Sequence, residues 1–331
     1  MGGTVAPEKI LRELSDWWVS LGKKAPAEAE AGMLRACSMT LVVLAEESED
    51  VDRLRETIAA LMPAHPARVL MVRLRGAGER ALSERVYAQC WMPFGQRRQI
   101  CCEQIEITAS DAALADLPPV VLPLAVPDFP VILWCRSARL WGMPEFRPIQ
   151  AMAHKVVLDS AAFADPKAAL PRMAEAVGRG VLLGDLSWTR LTRWREMLAQ
   201  VFENRQHLAL LPRVSRVRVE FGETFEALAW YMGAWVAGSL ADAGVRAELS
   251  VTKGAGGASL RVTVSGEGIQ VELARREDRL TIVVNSLSHC TNLPRPAEHL
   301  LLREELGIVR HDPVFERALA SAARLAYPGE K

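Results

Sequence analysis

The chain has 331 residues, 40 Lys plus Arg against 40 Asp plus Glu, with 50% hydrophobic and 24% charged residues. That balance excludes intrinsic disorder along most of the chain, and it excludes nucleic-acid binding by bulk charge, which needs a positive excess. The length suits two domains of about 150 residues each, with cores that need no disulfide or metal staples.

In chain order, residues 8–21 place Ile10, Leu11, Leu14, Trp17, Trp18 and Leu21 on a helical stripe. Ser38–Ala45 reads as a buried strand, Ser48–Met62 as a helix with Val51, Leu54, Ile58 and Leu61 on one face, and Arg68–Leu74 as a second strand. A strand–helix–strand connection of this kind implies a parallel pair. Strands at Val86–Met92 and Ile100–Thr108 are joined through Pro93-Phe94-Gly95 and read as an antiparallel hairpin. Ala112–Val126 is a short helix interrupted by prolines, Val131–Cys135 a buried strand, Phe146–Met152 a helix and Lys155–Asp159 a strand. This alternation predicts an α/β domain over residues 1–182, a mixed sheet with helices on both faces.

Residues 183–331 change character. A helix over Arg193–Arg205 is followed by a strand at Val214–Glu220 and a long helix at Glu223–Ala243. That long helix carries Phe225, Leu228, Met232, Trp235, Val236 and Leu240 inward. Ala229, Gly233 and Ala237 on its other side permit a close neighbour. Strands at Arg246–Thr252, Ser259–Ser265, Ile269–Ala274 and Leu280–Asn285 have short connections and predict an antiparallel meander, the cluster Gly254-Ala-Gly256-Gly257 being a hairpin turn. Helices at 297–306 and 312–326 complete an α+β domain.

Targeting signals are not legible. The segment MGGTVAPEK lacks an apolar run, the acylation pattern M-G-x-x-x-[ST] meets Ala6, and the apolar stretch Leu117–Cys135 holds five prolines and Asp128. Six scattered cysteines (37, 90, 101, 102, 135, 290) without a C-x-x-C suit buried thiols in a reducing cytoplasm. Cys101 and Cys102 would point to opposite faces of a strand, leaving one of them open to redox chemistry.

Tests for a reaction centre fail in turn. There is no G-x-x-x-x-G-K-[ST], no G-x-S-x-G, and Gly178-Arg-Gly180-Val-Leu-Leu-Gly184 has the wrong spacing for a nucleotide loop. The six histidines show no H-E-x-x-H and no zinc spacing with cysteine, so no metal and no cofactor are expected. Asp159 and Ser160 lie at a strand end, where α/β folds place ligand groups, and otherwise read as caps for the next segment.

Two segments carry the distinctive chemistry. In Leu122–Trp134, Pro127 and Pro130 flank Asp128 and lead into a strand ending at Trp134. In Leu183–Glu203, Thr192 is the expected N-cap of a helix whose Trp194, Met197, Leu198, Val201 and Phe202 share a buried face. The preceding loop, Asp185-Leu-Ser-Trp188-Thr-Arg190, sits at the expected domain junction. It either pins the domains or presents an Arg/Trp anchor to a partner. Asp128, Trp134, Asp185, Trp188, Arg190, Trp194 and Arg195 are the resulting candidates.

VPDFPVILWCRS and GDLSWTRLTRWREMLAQVF resemble the OpcA family, the glucose-6-phosphate dehydrogenase assembly proteins, with their patterns PDLPvvlWW and DLsWtRLtpWRe. The resemblance extends through Arg35-Ala-Cys37-Ser-Met39-Thr-Leu41, His65-Pro66-Ala-Arg68, Glu103-Gln-Ile105, Leu158-Asp159-Ser160, Glu304-Glu305-Leu306 and Asp312. Departures are Arg193 in place of a helix-starting Pro, and Cys135 in place of a second Trp. The resemblance implies a non-catalytic cytoplasmic protein that binds glucose-6-phosphate dehydrogenase, favours its active oligomer and supports NADPH supply. It implies no nucleic-acid or membrane partner and leaves the chain's own oligomeric state open. The competing reading is an α/β protein, or an enzyme, binding a sugar phosphate or other anion through Asp159, Ser160 and arginines.

Overall fold

The computed structural model describes residues 6–24, 34–91, 100–254 and 259–327. Contacts divide the chain into two compact units, Met1–Leu158 with Glu298–Gly307, and Asp159–Ala297 with Ile308–Lys331. The cut expected from the sequence lies near residue 183. Residues 159–182 group with the second unit, and one late segment returns to the first.

In the first unit, α1 (Pro7–Lys24) buries Ile10 and Leu14, four residues apart on one stripe. After β1 (Leu34–Arg35) comes β2 (Met39–Glu46), buried at every position before Glu46, as its continuous aliphatic run demands. Asp50 caps α2 (Val51–Leu61), which buries Leu54, Ile58 and Leu61. β3 (Ala67–Leu74) pairs with β2 in parallel, from Met39↔Ala67 to Glu46↔Leu74. β4 (Leu82–Trp91) and β5 (Ile100–Ala109) pair antiparallel; the connection through Pro93-Phe94-Gly95 lies outside the described residues. The proline-rich segment forms a 3-10 turn (Asp111–Asp116) and then α3 (Leu117–Leu124). Pro118 and Pro119 occupy its first positions, where no intrahelical N–H is lost. β6 (Val131–Cys135) runs parallel to β2, and after α4 (Phe146–Ala151) β7 (Lys155–Leu158) runs parallel to β6. These strands lie in the order β1-β5-β3-β2-β6-β7, with β4 along β5. The sheet is mixed.

The second unit begins with α5 (Pro166–Gly178), β8 (Leu183–Asp185), α6 (Leu186–Thr189), α7 (Thr192–Glu203) and α8 (Arg205–Leu210). The segment expected as a loop before residue 192 is therefore strand then helix. The cap expected at Thr192 falls on Leu191 with no side-chain bond, because α6 delivers the chain already helical; Thr192 Oγ1 accepts from Arg195 Nη2 at 3.2 Å. On α7, Trp194 and Leu198 are buried while Met197, Val201 and Phe202 are half-buried.

β9 (Val214–Phe221), α9 (Glu226–Asp242), β10 (Glu248–Lys253), β11 (Leu260–Gly266), β12 (Ile269–Arg276), β13 (Arg279–Val284) and β14 (Leu287–Asn292) build a sheet in the order β10-β9-β11-β12-β13-β14. The meander holds for β11 to β14. β10 departs from it, pairing parallel with β9, because α9 is a crossover and returns the chain in the same direction. Residues 255–258, part of the expected glycine turn, lie outside the described residues. On α9, Gly233 meets β9 and β10: a Cβ there would approach Val251 Cγ2 at 3.1 Å and Leu249 Cδ1 at 3.2 Å. α10 (Glu298–Leu306) belongs to the first unit and lies against α2. Its Glu305 pairs with Lys155 at 2.8 Å, both side chains at most 4% exposed. α11 (Pro313–Ala326) packs on α5 and α9.

Two glycines separate close approach from mere permissiveness. A Cβ on Gly266, at the register shift between β11 and β9, would stand 2.0 Å from the Arg213 carbonyl oxygen, whereas one on Gly238 in α9 meets nothing within 4 Å. Gly266→Ala should lower unfolding free energy by about 2–3 kcal/mol. Gly238→Ala should raise it by about 0.5–1 kcal/mol. Denaturant titration of both variants checks this.

Candidate functional site

The strand order of the first unit reverses between β2 and β6, and open parallel sheets bind ligands at the carboxyl ends beside such a reversal. Phosphate binding there needs glycines in the turn after the first strand and a helix N-terminus with free N–H groups. The turn after β2 reads Glu46-Glu47-Ser48-Glu49-Asp50. Asp50 Oδ1 already accepts from the Asp52 and Arg53 amides at 3.0 and 3.2 Å.

Arginines from neighbouring strand ends close over this acidic turn. Arg136, following β6, donates to Glu49 at 2.8 Å and Glu298 at 2.6 Å, its guanidinium 4.6 Å from the Trp134 ring. Arg139 donates to Glu46 at 2.9 Å and Asp111 at 2.7 Å, and Ser137 also bonds Glu46. Arg73, at the end of β3, donates to the Glu47 and Glu49 carbonyls at 2.7 and 2.9 Å. Burial opposes the charge on Arg136, but the Glu298 and Glu49 carboxylates outweigh it and hold its pKa above the ordinary value.

In the second unit, Asp159 and Ser160 meet the 185–190 segment. Asp159 takes a bidentate fork from Arg190, Nη1 to Oδ1 at 2.7 Å and Nη2 to Oδ2 at 2.6 Å, and accepts from Ser187 Oγ at 2.9 Å. Asp185 is fully buried; Oδ1 accepts from the Ser187 and Ser160 amides at 2.8 and 3.0 Å, and Oδ2 from the Tyr231 hydroxyl at 2.8 Å. Around them Trp188, Tyr231 and Phe315 form an aromatic triangle with centroids 5.8–6.0 Å apart. Arg195 stacks 3.6 Å from the Trp188 ring centroid, and Trp188 Nε1 donates to Asp312 at 3.3 Å. Asp312 in turn caps α11.

The two aspartates titrate in opposite senses. Burial, and then the Asp159 charge, push Asp185 up to about 6. For Asp159 burial acts the same way, but Arg190's hydrogen bonds and charge, with help from Ser187, overcome it and lower the pKa. Tyr231, buried beside the Asp185 carboxylate, stays protonated well above its usual range.

Asp185, Trp188, Arg190 and Arg195 thus come together with Asp159 and Ser160, while Trp194 sits buried on α7. The anchor role expected of the tryptophans meets a physical obstacle: Trp188 and Trp194 are each 2% exposed and Trp134 is 1% exposed. The ligand role expected of Asp159 meets another, since both of its oxygens are engaged by Arg190. Asp128 is exposed, with φ +65°, between Pro127 and Pro130. Cys102 is buried, and burial pushes its thiol up to about 11, the reverse of a reactive thiolate. The Cys101 side chain lies outside the described residues. Sequence reasoning missed Tyr231, Arg136 and Arg139 as site residues; the arginine excess, and for Arg136 its place in VPDFPVILWCRS, were the signals for the two arginines.

Folding favours the protonated form of Asp185, because its pKa rises from 3.8 to about 6. The associated stability is complete below 3.8 and is lost as pH rises through about 6, an interval worth about 3 kcal/mol. Asp159 contributes oppositely, its stabilisation being lost as pH falls. Asp185→Asn keeps an acceptor for the amides and removes the ionisation. The variant's melting temperature should therefore gain on the wild type as pH rises from about 4 to 7, measured by calorimetry across that range.

Comparison with known proteins adds the family. A model described as glucose-6-phosphate dehydrogenase subunit N-terminal domain matches residues 58–175, and one described as the C-terminal domain of the same subunit matches 182–319. An OxPP cycle protein OpcA by name, from Nostoc punctiforme, is 30% identical over 43% of this chain and 30% of its own length. Its counterpart from Synechocystis is 24% identical over 56% of this chain and 38% of its own. The chain therefore spans well under half the length of these relatives. A 3-ketoreductase from Actinomadura kijaniata superposes with a TM-score of 0.49 at 13% identity, over 87% of this chain and 95% of that one. With both halves matched by models of one family, the chain belongs to the OpcA family.

Proposed function

We propose that the chain is a non-catalytic assembly factor and allosteric activator of glucose-6-phosphate dehydrogenase, acting in the cytoplasm by protein–protein binding in support of NADPH production. The observation that carries this reading is the turn after β2. The strand order reverses where open parallel sheets place ligands, yet four carboxylates and an N-capped helix stand where a nucleotide phosphate would need glycines and free amides. Placing phosphates there would break the Arg136 and Arg139 pairs and set like charges together. The family descriptions support this choice of partner.

For the contact itself, the exposed candidate is the Asp128 tip. Phe129, 41% exposed, is held between Pro127 and Pro130 beside a left-handed Asp128, so its presentation costs little ordering entropy on binding. An aromatic on a stiff loop suits an apolar pocket, and the Asp128 carboxylate suits a basic rim. Trp188, Arg190 and Arg195 instead fix the second unit internally.

Adding the purified chain to its cognate dehydrogenase should raise activity or shift the enzyme to a larger assembly; no change in either removes the proposal. Phe129→Ala should weaken the effect at least about tenfold with an unaltered melting temperature. Trp188→Ala should instead lower melting temperature, by the equivalent of about 3–5 kcal/mol. A thermal shift with NADP or a sugar phosphate on the isolated chain would favour the small-molecule reading.

A further inference from the structure

The six-stranded sheet of the second unit ends in two edges of different chemistry. β10, Glu-Leu-Ser-Val-Thr-Lys, bears a charge at each end and lies partly under α9. Charged residues are how natural edge strands discourage pairing with another chain. β14, Leu-Ser-His-Cys-Thr-Asn, has no Asp, Glu, Lys, Arg or Pro, and five of its six residues are exposed. It is the terminal strand, hydrogen-bonded through β13 on one side. Leu287, at its start, is 76% exposed.

We propose that β14 is a self-association edge, pairing antiparallel with β14 of a second copy to join two six-stranded sheets across a two-fold axis. The composition is complementary to itself, which suits a copy of the same strand. In an isologous contact each residue meets itself or its mirror position, so any charge near the axis meets its own like, and the strand carries none. A two-fold at Cys290 brings Cys290 opposite its mate, Ser288 opposite Asn292, His289 opposite Thr291 and Leu287 opposite Leu293. This sets polar partners in the middle and an apolar pair at each end. His289 and Thr291 share a face with Leu287 and Leu293, while Ser288, Cys290 and Asn292 share the other, as the strand's period of two requires. Directly opposed α-carbons lie about 5.5 Å apart or less in such a ladder, within reach of a short thiol cross-linker. The inference stands apart from the dehydrogenase reading and can fail without it.

Sedimentation velocity of the full chain over a concentration series should show a monomer–dimer equilibrium, and a short bis-maleimide should trap a covalent dimer that Cys290→Ser abolishes. Cys290→Lys, placing two ammonium groups face to face, should weaken the dimer at least about tenfold. Mixing Cys290→Lys with Cys290→Glu should restore a heterodimer, which separates loss of pairing from loss of fold. A wild type that is monomeric throughout, a dimer indifferent to Cys290→Lys, or a mixture that does not recover would each overturn the proposal.

Discussion

A buried charge must be matched where it lies, and much of this structure follows from how the chain meets that requirement. Removing a carboxylate or a cation from water costs several kcal/mol, recovered only through close pairing and hydrogen bonds. The first unit holds Arg68 on Glu103 at 2.6 Å and Lys155 on Glu305 at 2.8 Å, all nearly fully buried. Around the acidic turn, Arg136 and Arg139 each span two carboxylates. The second unit holds Asp159 by a two-pronged Arg190. A guanidinium does this better than an ammonium, since its planar fork reaches two acceptors and stacks on a ring, as Arg136 does on Trp134 and Arg195 on Trp188. The scarcity of lysine, seven residues among forty basic ones, therefore has a structural use whatever its origin.

Asp185 is the exception that shows the rule. Among the described residues no cation pairs with it; its oxygens are met by two amides and a tyrosine hydroxyl, and its pKa rises to about 6. Arg190 is committed to Asp159, and the Asp159 charge adds to the rise. One cation between two carboxylates leaves the more deeply buried one to neutral donors. That arrangement fixes Tyr231 against Trp188 and Phe315, and so links β8, α6, α9 and α11 through one side chain and one aromatic triangle.

Periodicity made the elements legible where one face was buried or a strand was buried throughout. The unit β2-α2-β3 follows directly from its aliphatic runs and from the 3.6-residue spacing of Leu54, Ile58 and Leu61. Direction and neighbours were harder. β10 has the same alternation whether it runs with or against β9, and only the crossover through α9 decides. β8 is three residues long and β14 is polar and exposed, so neither carries an apolar signal. Thr192 has the composition of a cap, yet the chain reaches it already helical. For the site, Asp159 and Ser160 were legible as a strand end. What they bind was not, because Arg190, Asp185 and Tyr231 are brought to them by tertiary contact.

The same limit explains why tryptophans looked like anchors. Trp and Arg dominate binding hot spots and also dominate well-packed interiors, and the sequence alone does not say on which side of the surface a Trp beside an Arg will fall. Here Trp188 and Trp194 fall inside, so under the proposed function the binding energy for a partner is assigned to groups at the surface. Proline spacing is the sequence feature that marks such groups: Pro127 and Pro130 restrict the backbone before any partner arrives, and Asp128 takes a conformation that asparagine and aspartate tolerate better than most residues. On that proposal, rigidity encoded in the chain, more than side-chain identity, is what sets the Phe129 tip apart from the buried tryptophans.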